Sequence, residues 1–224
     1  MSTAIVKQLV VKDWYLQRWP IAGYLVASAI ALLFLGRGGS GSFYAGMIVL
    51  ITIIIAGGVQ LALSTIINER TGQTLPFIMT LPVSNHQYTA AKLTANLTMF
   101  LLPWTALTAG TLAILNSRSA ETRALIPIAT LTLLELFAAH SLLLFVALVT
   151  ESQPWTVSVM VTTNLGLQAW FYFVARMPGI AHGMRTHRLE WSRGPLILLF
   201  VEVAIIILLL SLSFVFRARK TDFL

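Results

Sequence analysis

Cysteine is absent from this chain of 224 residues. That removes disulfides, thiolate metal sites, iron–sulfur clusters and cysteine nucleophiles. Charge is scarce as well. Asp, Glu, Lys and Arg make up 10% of the residues, against about 25% in ordinary soluble domains. Apolar residues make up 57% and the mean hydropathy is +0.83. A soluble globule so composed has too little polar surface to cover its core. Soluble enzymes are excluded, and so are disordered and fibrous chains. Six membrane helices of about 20 residues would take up roughly 120 residues, which is close to the apolar inventory. Neither G-x-x-x-x-G-K-[ST] nor H-E-x-x-H occurs, so the chain carries no phosphate-binding loop or zinc-protease motif. If ATP drives this protein, another chain must bind and hydrolyse it.

What is present is a succession of apolar runs. Residues 4–19 place Ile5, Val6, Leu9 and Val10 at helical spacing, with Lys7, Gln8 and Lys12 to another side. Trp14, Tyr15 and Trp19 suit a membrane interface. The segment predicts an amphipathic helix lying on the membrane and leading into the first span; the competing reading is an extended first membrane helix with a wet end. It lacks the charged tip and small-residue cleavage site of a signal peptide. Six spans are expected at about 20–35, 43–67, 93–115, 124–150, 155–175 and 195–216. Between them lie a glycine-rich turn at 36–42, a polar segment with two prolines at 68–92, polar connectors at 116–123 and 151–154, and a longer basic segment at 176–194. The fold class is an all-α membrane protein, read as a single transmembrane domain.

An even number of spans puts both termini on one side. The formal charge is +7. Eight of the 15 Lys and Arg fall on the side of the termini and seven on the other, so the positive-inside rule alone barely orients the chain. The two carboxylates inside spans are Glu135 and Glu202, with His140 as a third ionisable group. Each is expensive in hydrocarbon unless paired or neutralised. Glu135 and His140 are five residues apart, about 140° round a helix, so they do not form an intrahelical dyad. Gln60, Asn96, Asn164 and Gln168 are uncharged polar residues within spans. Asn164 and Gln168 share a face at i, i+4. With Glu135 they are the candidates for a substrate path or a dimer seam. The competing reading is hydrogen-bonding glue between helices. His182 and His187 cannot both reach one metal from one helix, and no metal site is expected.

Residues 68–97 read NERTGQTLPFIMTLPVSNHQYTAAKLTANL. Asn68, Glu69 and Arg70 end an apolar run abruptly and mark the membrane surface. Leu75, Ile78 and Met79 form one apolar stripe on a short lateral helix. Leu81-Pro82 ends that helix, because a residue before proline avoids the helical region. Ser84 caps the next helix, which runs through Tyr88 and Lys92 into span 3. A lateral helix with an apolar stripe can bury it in a partner's groove.

The order Asn68-Glu69-Arg70, Gly72, Thr74-Leu75, Leu81-Pro82-Val83-Ser84, Tyr88 and Ala91-Lys92-Leu93 resembles the permease subunits of type-2 ABC transporters. The six-span layout and the amphipathic start resemble them too. Two departures stand out: Gln73 separates Gly72 from Thr74, and Asn85 replaces the usual basic residue after Leu81-Pro82-Val83-Ser84. The resemblance implies that 68–92 is a cytoplasmic coupling segment. Its ATPase-coupling residues would be Glu69, Arg70, Gly72, Thr74, Leu75, Ile78, Leu81 and Pro82. It further implies two ABC ATPase subunits carrying ATP and Mg, a second permease subunit (homodimer or heterodimer), and no cofactor or enzymatic activity on this chain. Location would be a prokaryotic inner or plasma membrane with both termini cytoplasmic, and the function export of an amphipathic or lipid-like substrate. Nucleic acid is not an expected partner. The alternative is an ATP-independent carrier or membrane scaffold, although spans 1–3 and 4–6 show no matching halves of the kind such carriers have.

Overall fold

The computed structural model describes residues 2–71 and 85–218. Among these it is all-α: α1 (Ser2–Gly36), α2 (Ser40–Ala62), a π turn (Leu63–Ile67), α3 (Asn68–Thr71), α4 (Asn85–Ser117), α5 (Ala120–Arg123), α6 (Ile126–Thr150), α7 (Gln153–Ala175), α8 (Pro178–Thr186) and α9 (Arg193–Ala218). Six helical stretches are long and apolar enough to cross a membrane. The chain is therefore a multi-pass membrane protein.

The expected surface helix 4–19 and span 20–35 form one unbroken helix, with Pro20 inside it. At 1.5 Å per residue its 35 residues reach about 52 Å, well beyond the ~30 Å of a hydrocarbon core. The apolar stripe of its N-terminal part meets protein. Leu9 is buried with Tyr88 and Ala91 of α4, and Ile5, Val6 and Val10 pack around them. Buried positions then continue at intervals of four: Leu9, Asp13, Gln17 and Ile21. This register runs along α4, whose start packs on α1.

The helices α1, α2 and α4 form one packed group around Ala31, Leu35, Leu50, Phe100 and Leu107. The helix α6 is central: 56% of its spanning window is buried, against 11% for α7 and 17% for α9. It packs against α2 and α4 on one side and α7 and α9 on the other. Leu144, Ala147 and Leu148 of α6 meet Ala62, Ile66 and Ile67 at the π turn. At the opposite end of the bundle the Arg118 guanidinium donates to the Gly36 carbonyl, tying the turn after α1 to the turn after α4. The longer basic segment at 176–194 contains the helix α8. Its Ile180 is buried against Leu131 and Val174, and His182 Nδ1 lies 3.0 Å from Glu190 Oε2 at the surface.

Close approach of α1 and α2 depends on a missing side chain. A Cβ at Gly46 would stand 2.7 Å from the Leu35 backbone nitrogen and 3.0 Å from the Ala31 carbonyl oxygen. Backbone cannot rotate away, so Gly46→Ala must push the two helices apart. We expect it to cost about 1–3 kcal/mol, the usual range for overpacking, read as a lowered thermal midpoint in lipid nanodiscs. Gly166→Ala, where a Cβ meets nothing within 4 Å, is the matched control and should leave the midpoint unlowered.

Candidate functional site

The densest polar construction in the described residues lies where α1, α3 and α4 converge. The Lys92 ammonium of α4 is 2.8 Å from Asp13 Oδ2 of α1 and 2.8 Å from Glu69 Oε1 of α3. Lys12 reaches the same Glu69 oxygen at 2.6 Å and lies 3.6 Å from Asp13 Oδ1. The Tyr88 hydroxyl donates to Glu69 Oε2 at 3.1 Å. Among the described side chains two cations and two carboxylates meet here, so their formal charges balance. Its centre is dry: the Lys92 side chain is 0% exposed and Asp13 2%, whereas Lys12 at the rim is 39% exposed.

Each residue reaches the cluster for a local reason. Asp13 occupies the buried i, i+4 stripe of α1 set out above. Lys92 sits one helical turn past Tyr88, and its ammonium lies 5.7 Å from the centroid of the Tyr88 ring. Glu69 follows the π turn, which places one extra residue in a helical turn and rotates everything beyond it relative to a regular helix. The π turn is itself pinned, because Asn96 Nδ2 of α4 donates to Thr65 Oγ1. Burial pushes the Glu69 carboxyl up, but the charges and hydrogen bonds of Lys92 and Lys12 outweigh it and hold the group below the usual carboxylate range.

Of the expected coupling residues, Glu69 and Arg70 belong to α3; the side chain of Arg70, and all of Gly72, Thr74, Leu75, Ile78, Leu81 and Pro82, lie outside the described residues. Both oxygens of Glu69 are engaged within this chain. Lys92, expected at the start of the helix that enters span 3, is fully buried. Asp13 escaped the sequence reading. The signal that would have found it is its position four residues from Leu9 on the apolar stripe, where a lone acid needs a counter-ion.

The five candidates for a substrate path fall in separate places. Glu135 of α6 and Asn164 of α7 line one cavity between α2, α6 and α7. Gln60 accepts from the Tyr24 hydroxyl. Asn96 belongs to the π-turn contact. Gln168 is exposed on α7, one turn from Asn164 yet outside the cavity lining. Asn164 and Gln168 therefore share a face only loosely: the first points inward and the second outward. Glu202 of α9 is 2% exposed. Among the described residues no group of three His, Asp or Glu side chains is placed to hold a metal ion. No protein-family model, curated protein or solved structure matches the chain.

Removing one partner from a buried ion pair leaves the other charge stranded, at about 3–5 kcal/mol. Lys92→Met should destabilise the protein by that order, because buried Asp13 then keeps only its longer 3.6 Å contact with the half-exposed Lys12. Lys92→Met combined with Asp13→Leu should recover much of the loss. Thermal unfolding of the four forms in nanodiscs gives the coupling energy, and additive effects would show that the pair is not coupled. A second expectation follows from the lowered pKa of Glu69. A group depressed in the folded state stabilises above its unfolded pKa, and that contribution is lost as pH falls through the folded value. The contribution of Glu69 to stability should therefore be lost on acidification through and below the carboxylate range. Glu69→Gln should flatten that part of the profile.

Proposed function

We propose that this chain is the membrane-spanning permease subunit of an ABC exporter. In this reading a separate ATPase provides the energy, and the segment 68–92 is a coupling element that docks on it. Support comes first from the spacing of Glu69, Arg70, Gly72, Thr74, Leu75, Leu81, Pro82 and Lys92, which resembles the type-2 ABC permeases. The observation that carries the reading is spatial. Glu69 and Lys92, which flank the segment at its two ends, meet in one buried ion cluster together with α1. A segment clamped at both ends to the bundle is suited to hand a displacement to the helices. A segment hanging from loose ends would absorb it.

The mechanism follows from that clamp. Closure of an ATPase dimer on ATP displaces the coupling segments of two permease subunits. Because Asp13, Glu69 and Lys92 are dry and mutually paired, pulling one away strands a charge, so α1, α3 and the start of α4 move as a unit. Their shift relative to the central α6 would open the permease pair to one side of the membrane and then the other. Both termini and 68–92 lie on the cytoplasmic side in this scheme, in a prokaryotic inner or plasma membrane. The cargo is amphipathic or lipid-like.

Purification from native membranes in mild detergent should bring down an ABC ATPase in stoichiometric amount, identified by mass spectrometry. Its absence, with the permease intact and monodisperse, would favour an ATP-independent carrier or scaffold. Given the ATPase, Leu75→Asp with Ile78→Asp should reduce ATPase co-purification at least tenfold while the permease keeps its thermal midpoint. Undiminished co-purification would remove the docking assignment.

A further inference from the structure

A cavity lies between α2, α6 and α7, distinct from the ion cluster. Ile54, Leu136, Leu143 and Leu167 supply apolar walls, and Glu135, His140, Thr163 and Asn164 supply the polar atoms. The free space between these side chains, counted out to its open side, is about 440 Å³, and the volume that the centre of a water molecule can occupy is about 30 Å³, room for roughly two waters or one small head group. An ammonium group with an apolar body attached is of a size to enter it.

The hydrogen-bonding inventory says what such a ligand must offer. Asn164 Nδ2 donates to the Met160 carbonyl at 2.8 Å. The opposite amide orientation would set two oxygens against each other, so Oδ1 is the atom left over. The Thr163 hydroxyl is already donated to the Val159 carbonyl at 2.8 Å, leaving only its lone pairs. His140 is 4% exposed, and neither ring nitrogen has a partner. Its ring is held by stacking on Phe100, with centroids 3.8 Å apart and planes at 11°. Gly58 keeps the space beside Nδ1 open, since a Cβ there would come within 2.8 Å of it. A neutral imidazole still offers one acceptor and one donor. The Thr163 hydroxyl proton and one Asn164 amide proton are spent, while Asn164 Oδ1 and the Thr163 lone pairs are still open to a donor.

Charge points the same way. Among the described residues Glu135 has no hydrogen-bond or ion-pair partner. Glu202, whose carboxylate faces the Trp170 indole N–H without closing a hydrogen bond to it, is close enough to feel its charge. No Lys or Arg occurs in 40–67, 126–150 or 153–175, the segments that enclose the cavity. A carboxylate so placed among apolar helices requires a proton or an external cation.

We propose that this cavity binds the protonated amine of an amphipathic organic cation. Glu135 is the counter-ion. Asn164 Oδ1 takes up ammonium protons, and the apolar walls receive the adjoining hydrocarbon. Calling this ligand the transported cargo rests on the exporter reading; the binding itself does not.

The test uses the full chain in phosphatidylcholine nanodiscs, titrated calorimetrically with 2-phenylethylammonium and corrected against empty nanodiscs. Its neutral and anionic analogues are 3-phenylpropan-1-ol and 3-phenylpropanoate. The expected result is one saturable site for the amine, with both analogues at least tenfold weaker. Glu135→Gln should weaken the amine at least tenfold, Glu135→Asp should retain most of the affinity, and Glu121→Gln, at an exposed acid in α5, should change nothing. If Glu135→Gln fails to fold, Asn164→Ala serves instead, with a several-fold loss expected. Equal binding of amine and alcohol, an unchanged affinity in Glu135→Gln (or in Asn164→Ala where that variant replaces it), or no saturable heat above empty nanodiscs would overturn the proposal and leave two waters and a protonated glutamate. Failure of this site leaves ATPase co-purification untouched, whereas absence of an ATPase leaves the binding result standing.

Discussion

Burying an ammonium group is among the more expensive things a protein can do, and Lys92 is fully buried. The cost is tolerable only because two carboxylates from two other helices stand within 2.8 Å of it. Much of the local architecture is constrained by that requirement. The helix α1 must extend far enough before its apolar run to bring Asp13 level with the start of α4. Span 2 must end with Glu69 turned toward the same point. The π turn before Glu69, itself held by Asn96 through Thr65, sets that rotation. A cluster of two cations and two anions is the smallest set that lets Lys12 stay at the wet rim while Lys92 is dry.

Outward from this cluster the bundle becomes less constrained. The group α1, α2 and α4 is closely packed, with Gly46 allowing backbone contact between α1 and α2. The helix α6 binds this group to α7 and α9, which bury little of themselves in the described residues. The gradient fits a molecule whose ion cluster transmits force and whose α7 side offers room. The cavity containing Glu135 and Asn164 lies on that looser side, where helices can separate at low cost in lost contacts.

Spans were legible because apolar runs of membrane length have few alternative uses, and the six expected stretches correspond to six long helices. The unbroken course of α1 was harder to read. Ile5, Val6, Leu9 and Val10 form the stripe of a surface helix, but a stripe does not say whether lipid or protein covers it. Here Tyr88 and Ala91 cover it. The polar residues in the spans were recognised as significant, yet their grouping was not, because spacing along one helix says nothing about neighbours on another. Glu135 and Asn164 share a cavity, Gln60 pairs with Tyr24, and Asn96 serves the π turn. Asp13 was missed for a related reason: its partner stands 79 residues away in the chain.

That separation also matters while the chain is being made. Elongation at about 5–20 residues per second means that Asp13 leaves the peptidyl-transferase centre roughly 4–16 s before Lys92 does. Throughout that interval the acid on the N-terminal part of α1 has only its neighbour Lys12 to pair with, and it must wait in water or at the bilayer surface. Only when the start of α4 arrives does the cluster close and the stripe of Leu9 find its cover. The order of insertion is therefore written into the charge pairing: the first helix is among the last to reach its final depth.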